Sequence, residues 1–236
     1  MQRLGFTRSA HQASHLVLTP DTFVRAPRPG MEKATAIVHV SPAIGARFTE
    51  YTAEFKRGGR LGPAEGQRFV YVLDGDLSVD GRHLKKDAYA YLPEGSGAIV
   101  MAGRSARAVV IEKPYVPIAG VSAPPTLLSE EVAVQARPLT DDADLEVLVL
   151  LPEQPAFDFA VNIMTFQPGA ALPMVESHVM EHGLVMLSGS GIYRLGEHWY
   201  PVTAGDFIWM APWCPQWFGA LGKTPAKYLI YKDWNR

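Results

Sequence analysis

Cysteine is almost absent from this sequence, with one residue, Cys214, among 236. A single thiol excludes a disulfide within the chain and fits a reducing compartment. No apolar run approaches the roughly 20 residues of a membrane-spanning helix, and the first residues lack the apolar segment of a secretory signal. We therefore expect a soluble, cytoplasmic protein without a membrane partner.

The sequence also lacks a large net charge of either sign and the residue periodicity of amphipathic helices. The formal net charge is −2, without a basic stripe or an acidic tail, which argues against a nucleic-acid partner. The chain has instead short runs rich in Val, Ile, Tyr and Phe, most of them bounded by turn residues. These runs are 69–73, 88–93, 108–112, 145–151, 191–195, 207–212 and 227–233. The pattern predicts an all-β protein.

An internal repeat divides the chain into two halves. The matched pairs are Gly75 with Gly189, Asp87 with Asp206, and Pro93 with Pro212, at offsets of 114, 119 and 119 residues. A duplicated unit of short strands predicts two β-barrels or sandwiches. Because 113–131 is rich in proline and small residues, it is interpreted as a linker, and the predicted domains are 1–125 and 126–236. One large sandwich is the alternative.

Acidic and imidazole side chains cluster in the second half as Glu176-x-His178-x3-His182. Residues two apart share a face of a strand, so the three side chains point the same way if a strand runs straight through them. Burying them is costly unless they are paired or bound to a metal. A carboxylate with two imidazoles suits Mn²⁺, Fe²⁺, Ni²⁺ or Zn²⁺ and leaves positions open for substrate or water. Ordinary core packing is the alternative.

This cluster resembles the metal-binding motifs of the cupin superfamily, in a permuted order. The first cupin motif supplies His-x-His and then Glu, whereas the glutamate comes first here. The second cupin motif begins with Gly, runs through Pro and places a ligand His eleven residues after the Gly. Gly205 and Pro212 fit that motif, and Gln216 stands at the ligand position. The resemblance implies a bicupin, with two tandem jelly-roll β-barrels, and Gln216 as a fourth ligand; a surface amide is the alternative.

The second half resembles more closely the (S)-ureidoglycine aminohydrolase family of bicupins. The stretches that carry this resemblance are VNIMTFQPGA, ESHVMEHGL, GIYRLGEHWYPVTAGDFIWMAPWCPQWF and ALGKTPAKYLIYKDWNR. It implies a hydrolase of allantoin and purine catabolism that converts (S)-ureidoglycine, a small ureido substrate, to (S)-ureidoglycolate and ammonia. The family's metal set, normally assigned to Mn²⁺, falls on Glu176, His178, His182 and Gln216.

Three more residues are candidates for the catalytic site. Tyr228 and Lys232 are four residues apart in the last apolar run, so they share one face of a strand. The resemblance favours Lys232 as the residue that holds the substrate carboxylate or protonates the leaving amine, against a solvent-facing lysine. Tyr193 either bonds a bound ligand or packs in the core.

The first half lacks the ligand set. By the repeat offsets, the counterparts of Glu176, His178, His182 and Gln216 are Gly62, Ala64, Arg68 and Gly97. This predicts a degenerate N-terminal barrel that serves as a scaffold or dimerisation domain, with a second ligand site left open. Bicupins commonly associate, so we expect a homo-oligomer. Competing interpretations of the whole chain are a cupin dioxygenase or isomerase, and a non-enzymatic bicupin that binds a ligand.

Overall fold

The computed structural model describes residues 6–233, and their long elements are all strands. In chain order these are β1 (Ala10–Gln12), β2 (His15–Leu18), β3 (Met31–Val40), β4 (Thr49–Leu61), β5 (Gln67–Asp74), β6 (Leu77–Val79), β7 (Arg82–Leu84), β8 (Ala88–Leu92), β9 (Val100–Ala102), β10 (Ala106–Lys113), β11 (Leu127–Glu130), β12 (Arg137–Leu139), β13 (Asp142–Val149), β14 (Phe159–Phe166), β15 (His182–Ser188), β16 (Ser190–Leu195), β17 (His198–Thr203), β18 (Phe207–Met210), β19 (Gln216–Leu221) and β20 (Ala226–Asp233). Short 3-10 helices cover Pro20–Thr22, Pro42–Ile44 and Glu131–Ala133. The predicted all-β class is confirmed. Across the described residues, none of the helices has the length and apolar character that a membrane crossing requires.

The chain forms two compact units, which we name by the half that supplies most of their strands. Within the described residues, the C-terminal barrel comprises 6–23, 135–153 and 159–233, and the N-terminal barrel comprises Val24–Val134 and Gln154–Asp158. Each half of the sequence repeat therefore supplies most of one barrel.

The predicted domain ranges, 1–125 and 126–236, need correction at both boundaries. β2 pairs with β18, Leu16 lying opposite Trp209, so the first strands belong to the C-terminal barrel. β11 pairs with β8, so the N-terminal barrel continues past the predicted boundary. Short edge strands gain their partners only in three dimensions, and their sequences do not reveal which barrel they join. Residues 1–5 and 234–236, at the ends of the predicted ranges, lie outside the described residues.

The C-terminal barrel contains two antiparallel sheets, with the strand orders β1-β2-β18-β15-β20-β14-β13-β12 and β17-β16-β19. Its core receives alternate side chains of the central strands, among them Leu184 of β15 and Tyr228 and Ile230 of β20. By the same alternation, His182 and Lys232 continue these inward-facing rows at the ends of the two strands. The polar candidate residues therefore lie at one end of an apolar interior.

The N-terminal barrel is a nine-stranded antiparallel sheet in the order β11-β8-β5-β10-β4-β9-β6-β7, with β3 paired to β4. Its core is filled by inward-facing residues such as Val70 and Val72 of β5 and Ala108 and Val110 of β10. The β5–β10 and β15–β20 pairs occupy corresponding places in the two barrels, since both join neighbouring central strands in antiparallel register. Fold and repeat therefore agree.

Two matched glycines of the repeat occupy equivalent turns. Gly75 and Gly189 have φ angles of 74° and 72°. A Cβ atom would lie 2.4 Å from the Ser105 carbonyl oxygen at Gly75 and 2.5 Å from the Pro225 carbonyl oxygen at Gly189. Both the left-handed backbone and the close approach require glycine, which explains why the sequence pattern carries one at each place.

A buried ion pair ties the N-terminal residues to the C-terminal barrel. Asp206 is fully buried, and Arg8 donates to it through Nη1–Oδ2 at 2.6 Å and Nη2–Oδ1 at 2.8 Å. We expect Arg8→Ala to lower the free energy of unfolding by about 2 kcal/mol, because it removes the charged partner of a buried carboxylate; among residues 6–233 only the Thr203 amide would then donate a hydrogen bond to it. Urea denaturation measures the change. Arg25→Ala, which removes an exposed ion pair with Glu54, is the control and should change stability little; equal stability of both variants would contradict the expectation.

Candidate metal centre

Backbone pairing brings the two predicted metal-binding motifs together. Glu176 and Gln216 form an isolated β-bridge, in which the amide of each donates to the carbonyl of the other at 2.8 Å. The straight strand expected through Glu176, His178 and His182 is not present, because residues 172–181 are irregular apart from this bridge and β15 begins at His182. The convergence of the side chains therefore depends on the bridge rather than on strand alternation.

Among the three predicted ligands of the first motif, His182 is the most deeply buried, with 3% of its surface exposed. Its Nδ1 lies 2.8 Å from the carbonyl oxygen of Glu181, so this nitrogen carries the proton and donates. Burial, with smaller effects from Lys232 and His178, lowers the pKa of His182 to about 3. The imidazole is therefore neutral at pH 7, and its Nε2 retains a lone pair, which is the form that binds a metal.

Glu176 and His178 lie next to each other at the partly exposed side of the cluster. The distance from Glu176 Oε2 to His178 Nε2 is 3.2 Å, and about a third of each side chain is exposed. The ring centroids of His178 and His182 are 5.3 Å apart. His178 therefore lies beside both Glu176 and His182, although only part of the group is buried.

Gln216 is buried and is oriented by a tyrosine. The hydroxyl of Tyr193 donates to Gln216 Oε1 at 3.3 Å, and both residues are at least 96% buried. Burial raises the pKa of both Tyr193 and Tyr228, and the nearby Glu176 adds to both shifts. The two phenols are therefore neutral hydrogen-bonding groups beside the cluster. The surface-amide alternative for Gln216 therefore does not apply, and Tyr193 packs in the core, the alternative given for it, while its hydroxyl bonds Gln216.

Lys232 lies on the inward face predicted for it, opposite His182 in the β15–β20 ladder. Burial lowers its pKa, while the carboxylate of Glu176 acts in the opposite direction. With the Asn162 amide oriented to satisfy its neighbours, Oδ1 accepts from Lys232 Nζ at 3.1 Å and Nδ2 donates to the carbonyl of Val161 at 2.9 Å. Lys232 is therefore a positioned group beside the cluster, which excludes the solvent-facing alternative.

Asn162 is a member of this site that the sequence analysis missed. It is 5% exposed in the middle of β14, whose other residues are mostly apolar, and it lies opposite Ile230 of β20. A buried polar residue must be hydrogen-bonded, so an amide inside the run FAVNIMTF was the available signal. In the structure, the amide oxygen accepts a hydrogen bond from Lys232 Nζ, so the amide positions this lysine.

The predicted ligands do not close around a common point. Across residues 6–233, no group of three or more histidine, cysteine, aspartate or glutamate side chains is arranged so that it could hold a metal ion. The donor chemistry nevertheless fits a divalent cation, because a carboxylate, a neutral imidazole with its Nε2 lone pair and a buried amide oxygen lie together. The ligand assignment therefore stays a prediction.

Comparison with known proteins places this chain in a family. The model of the cupin domain matches residues 162–231, which contain the whole cluster apart from Lys232. A probable (S)-ureidoglycine aminohydrolase of Oryza sativa subsp. japonica is 41% identical over 98% of this chain and 77% of the relative. The (S)-ureidoglycine aminohydrolase of Arabidopsis thaliana is 39% identical over 98% of this chain and 80% of the relative.

The fold has a close match among solved structures. Protein YlbA from Escherichia coli superposes with a TM-score of 0.85 at 29% identity, covering 98% of this chain and 95% of that one. The resemblance inferred from the second half therefore extends over nearly the whole chain, and the predicted bicupin fold is confirmed. The chain belongs to the (S)-ureidoglycine aminohydrolase family, a family of cupin-domain enzymes.

Proposed function

We propose that this enzyme hydrolyses (S)-ureidoglycine to (S)-ureidoglycolate and ammonia in its C-terminal barrel, as a step of allantoin and purine catabolism. The observation that carries the proposal is that Glu176, His178, His182 and Gln216 are neighbours beside the half-buried Lys232, in a chain whose curated relatives bear this activity as their name. The reaction breaks one carbon–nitrogen bond, releases ammonia, and joins the oxygen of water to the same carbon.

A divalent metal, Mn²⁺ in the first instance, is proposed to bind Glu176, His178, His182 and Gln216. Fe²⁺, Ni²⁺ and Zn²⁺ suit the same donors. The neutral state of His182 and the bonded amide oxygen of Gln216 support this assignment. When bound, such a cation orients the substrate and polarises the reacting centre.

Lys232 is proposed to hold the substrate carboxylate by its ammonium group. Asn162 fixes Nζ from one side, and the backbone of β20 places it opposite His182, so the charge is held near the cluster. Ammonia must leave with a proton, and an ammonium group at this place is also a proton donor for the leaving amine. The buried phenols of Tyr193 and Tyr228 supply neutral hydrogen bonds and help to exclude water.

Ammonia release from freshly generated (S)-ureidoglycine tests the proposed reaction. Purified enzyme loaded with Mn²⁺ should release one ammonia for each ureidoglycolate formed, well above the spontaneous rate, and should consume no oxygen. If metal-loaded enzyme releases ammonia from ureidoglycine no faster than the spontaneous rate, the proposed reaction is refuted. Oxygen uptake with another small substrate would favour a cupin dioxygenase instead.

The orientation of Gln216 by Tyr193 gives a separate prediction. Tyr193→Phe removes the hydroxyl that donates to Gln216 Oε1, so the amide is less well held. We expect the affinity for Mn²⁺ to fall by roughly tenfold, as for other groups that orient a metal ligand. Mn²⁺ activation curves measure it. Tyr200→Phe, which removes a hydroxyl bonded to His15 in the same barrel, is the control, and equal affinities in both variants would contradict the prediction.

We also propose a cytoplasmic location and a homo-oligomeric assembly. The only cysteine, Cys214, is a buried free thiol, which fits a reducing cytoplasm. A homo-oligomer, with a small ureido molecule as the only other partner, is the assembly we propose. Sedimentation of the purified enzyme distinguishes this assembly from a monomer.

A further inference from the structure

The N-terminal barrel contains a cavity of about 570 Å³ that the proposed reaction does not use. Arg28, Tyr51, Arg68 and Glu112 line it, together with other residues of the same barrel. The volume lies within the range of small-molecule binding sites.

One wall of this cavity is a polar cluster built around Glu112, whose side chain is 18% exposed. Arg68, with 6% of its side chain exposed, donates through Nε to Glu112 Oε1 at 2.7 Å and through Nη1 to the carbonyl of Gly62 at 2.7 Å. The hydroxyl of Tyr51 donates to the same Glu112 oxygen at 2.9 Å. Burying the Arg68 guanidinium costs several kcal/mol before pairing, and the half-buried Glu112 supplies the pairing charge, so packing alone does not explain this cluster.

Arg28 brings a second guanidinium to the same carboxylate. Its Nη1 donates to Glu112 Oε2 at 3.1 Å, and its Cζ lies 4.3 Å from the centroid of the Tyr51 ring. Two guanidinium groups therefore share one carboxylate, which leaves the cluster with one excess positive charge. Arg28 uses one of its five N–H donors on Glu112, and within the described residues no other acceptor takes the rest.

The cluster occupies the position that corresponds to the catalytic end of the other barrel. Arg68 lies opposite Glu112 in the β5–β10 ladder, as His182 lies opposite Lys232 in the β15–β20 ladder. The repeat offset of 114 residues, which relates Gly75 to Gly189, also relates Arg68 to His182. The duplicated barrel has thus replaced a candidate ligand histidine by a cation at the same place, and kept a polar end.

The rim of the cavity carries the opposite charge. Glu65 and Glu94 are exposed lining residues, and Lys113, the third lining cation, lies 3.3 Å from Asp158 and is neutralised there. An excess cation in the cluster attracts an anion, whereas carboxylates at the rim repel a second negative charge and accept N–H donors. This pattern selects one carboxylate group accompanied by N–H groups.

From this arrangement we infer that the N-terminal barrel binds a small organic monocarboxylate that bears N–H groups, with the carboxylate on Arg28 and Arg68 and the N–H groups towards Glu65 and Glu94. The site is separate from the C-terminal cluster and does not depend on the reaction proposed there. It fulfils the possibility, left open by the repeat, that the degenerate barrel has a ligand of its own.

Calorimetric titration with N-carbamoylglycine, a stable ureido monocarboxylate, tests this site. The protein carries Lys232→Met, so that binding of the carboxylate to the C-terminal lysine is removed. We expect one molecule to bind per chain at millimolar concentration, and Arg28→Gln in this background to weaken it by roughly tenfold or more, the effect of one lost charge-assisted bond. Arg25→Gln, an arginine of the same barrel outside the cavity, should leave affinity unchanged.

Two probes control for the class of ligand. N-methylurea lacks the carboxylate. Its affinity for the Lys232→Met protein should be no higher than the affinity of N-carbamoylglycine for the same protein with Arg28→Gln added. Inorganic phosphate should bind less well than N-carbamoylglycine, because the rim carboxylates repel its second charge. Absence of binding in the Lys232→Met protein, unchanged affinity in a folded Arg28→Gln variant, or preference for phosphate would each overturn the inference.

Discussion

Replacing His178 by alanine is expected to lower kcat/KM for ammonia release by about a thousandfold or more, because a metal ion supplies several kcal/mol of transition-state stabilisation. His178 contacts Glu176 at 3.2 Å and lies beside His182, so its loss removes one proposed ligand and the partner of another. About a third of its side chain is exposed, so the substitution leaves the core intact. Steady-state kinetics and the metal content of the purified variant measure the two effects together.

His83→Ala is the matched control for this substitution. His83 is an exposed histidine of β7 in the N-terminal barrel, so its removal should change neither metal content nor turnover. A His178→Ala enzyme that keeps wild-type activity and metal would contradict the ligand assignment. Loss of metal together with a normal melting temperature would separate a defect in the site from a defect in folding.

Replacing Lys232 by methionine is expected to reduce kcat/KM by roughly a hundredfold, the effect of losing a charged hydrogen bond to the substrate at a half-buried position. Methionine keeps most of the volume, so Asn162 and His182 retain their packing. Because burial lowers the pKa of Lys232, its ammonium group is lost at a lower pH than the ordinary value of 10.5. The wild-type kcat/KM should therefore decline on the alkaline side below that value, and the variant should lack this decline.

Lys227→Met is the control on the same strand. Lys227 points to the opposite face of β20 from Tyr228 and Lys232, and it should have wild-type kinetics with the alkaline decline intact. A Lys232→Met enzyme with unchanged KM and kcat would contradict a role in holding the carboxylate. An unchanged pH profile with reduced activity would indicate that another group titrates in that range.

Much of the fold follows from local pattern. Strands such as β5, β10 and β20 were predictable because apolar, β-branched and aromatic residues run for strand length between turn residues. The repeat was visible because Gly75 and Gly189 are both forced by a left-handed turn with no room for a side chain. These signals are local, because they depend on the residue types along a short segment and not on its tertiary contacts.

The features that could not be predicted from the sequence depend on contacts between residues far apart in the chain. The first strands join the C-terminal barrel through the β2–β18 ladder and through the ion pair of Arg8 with Asp206, partners nearly two hundred residues apart. Strand alternation also could not predict the irregular backbone before β15. In the structure, Glu176 pairs with Gln216 through a single bridge and not along a strand. The motif spacing nevertheless pointed to residues that lie near one another, with Glu176 beside His178 and bridged to Gln216, and their role as ligands stays a prediction.

Titration of metal-free enzyme with Mn²⁺ tests the central claim most directly. The chelated enzyme should release no ammonia from (S)-ureidoglycine above background, and activity should rise in proportion to bound metal until one ion is held per chain. The His182→Ala enzyme, which lacks the buried neutral imidazole, should show no such rise. Full activity in metal-free enzyme, or metal binding that restores no ammonia release, would contradict the account.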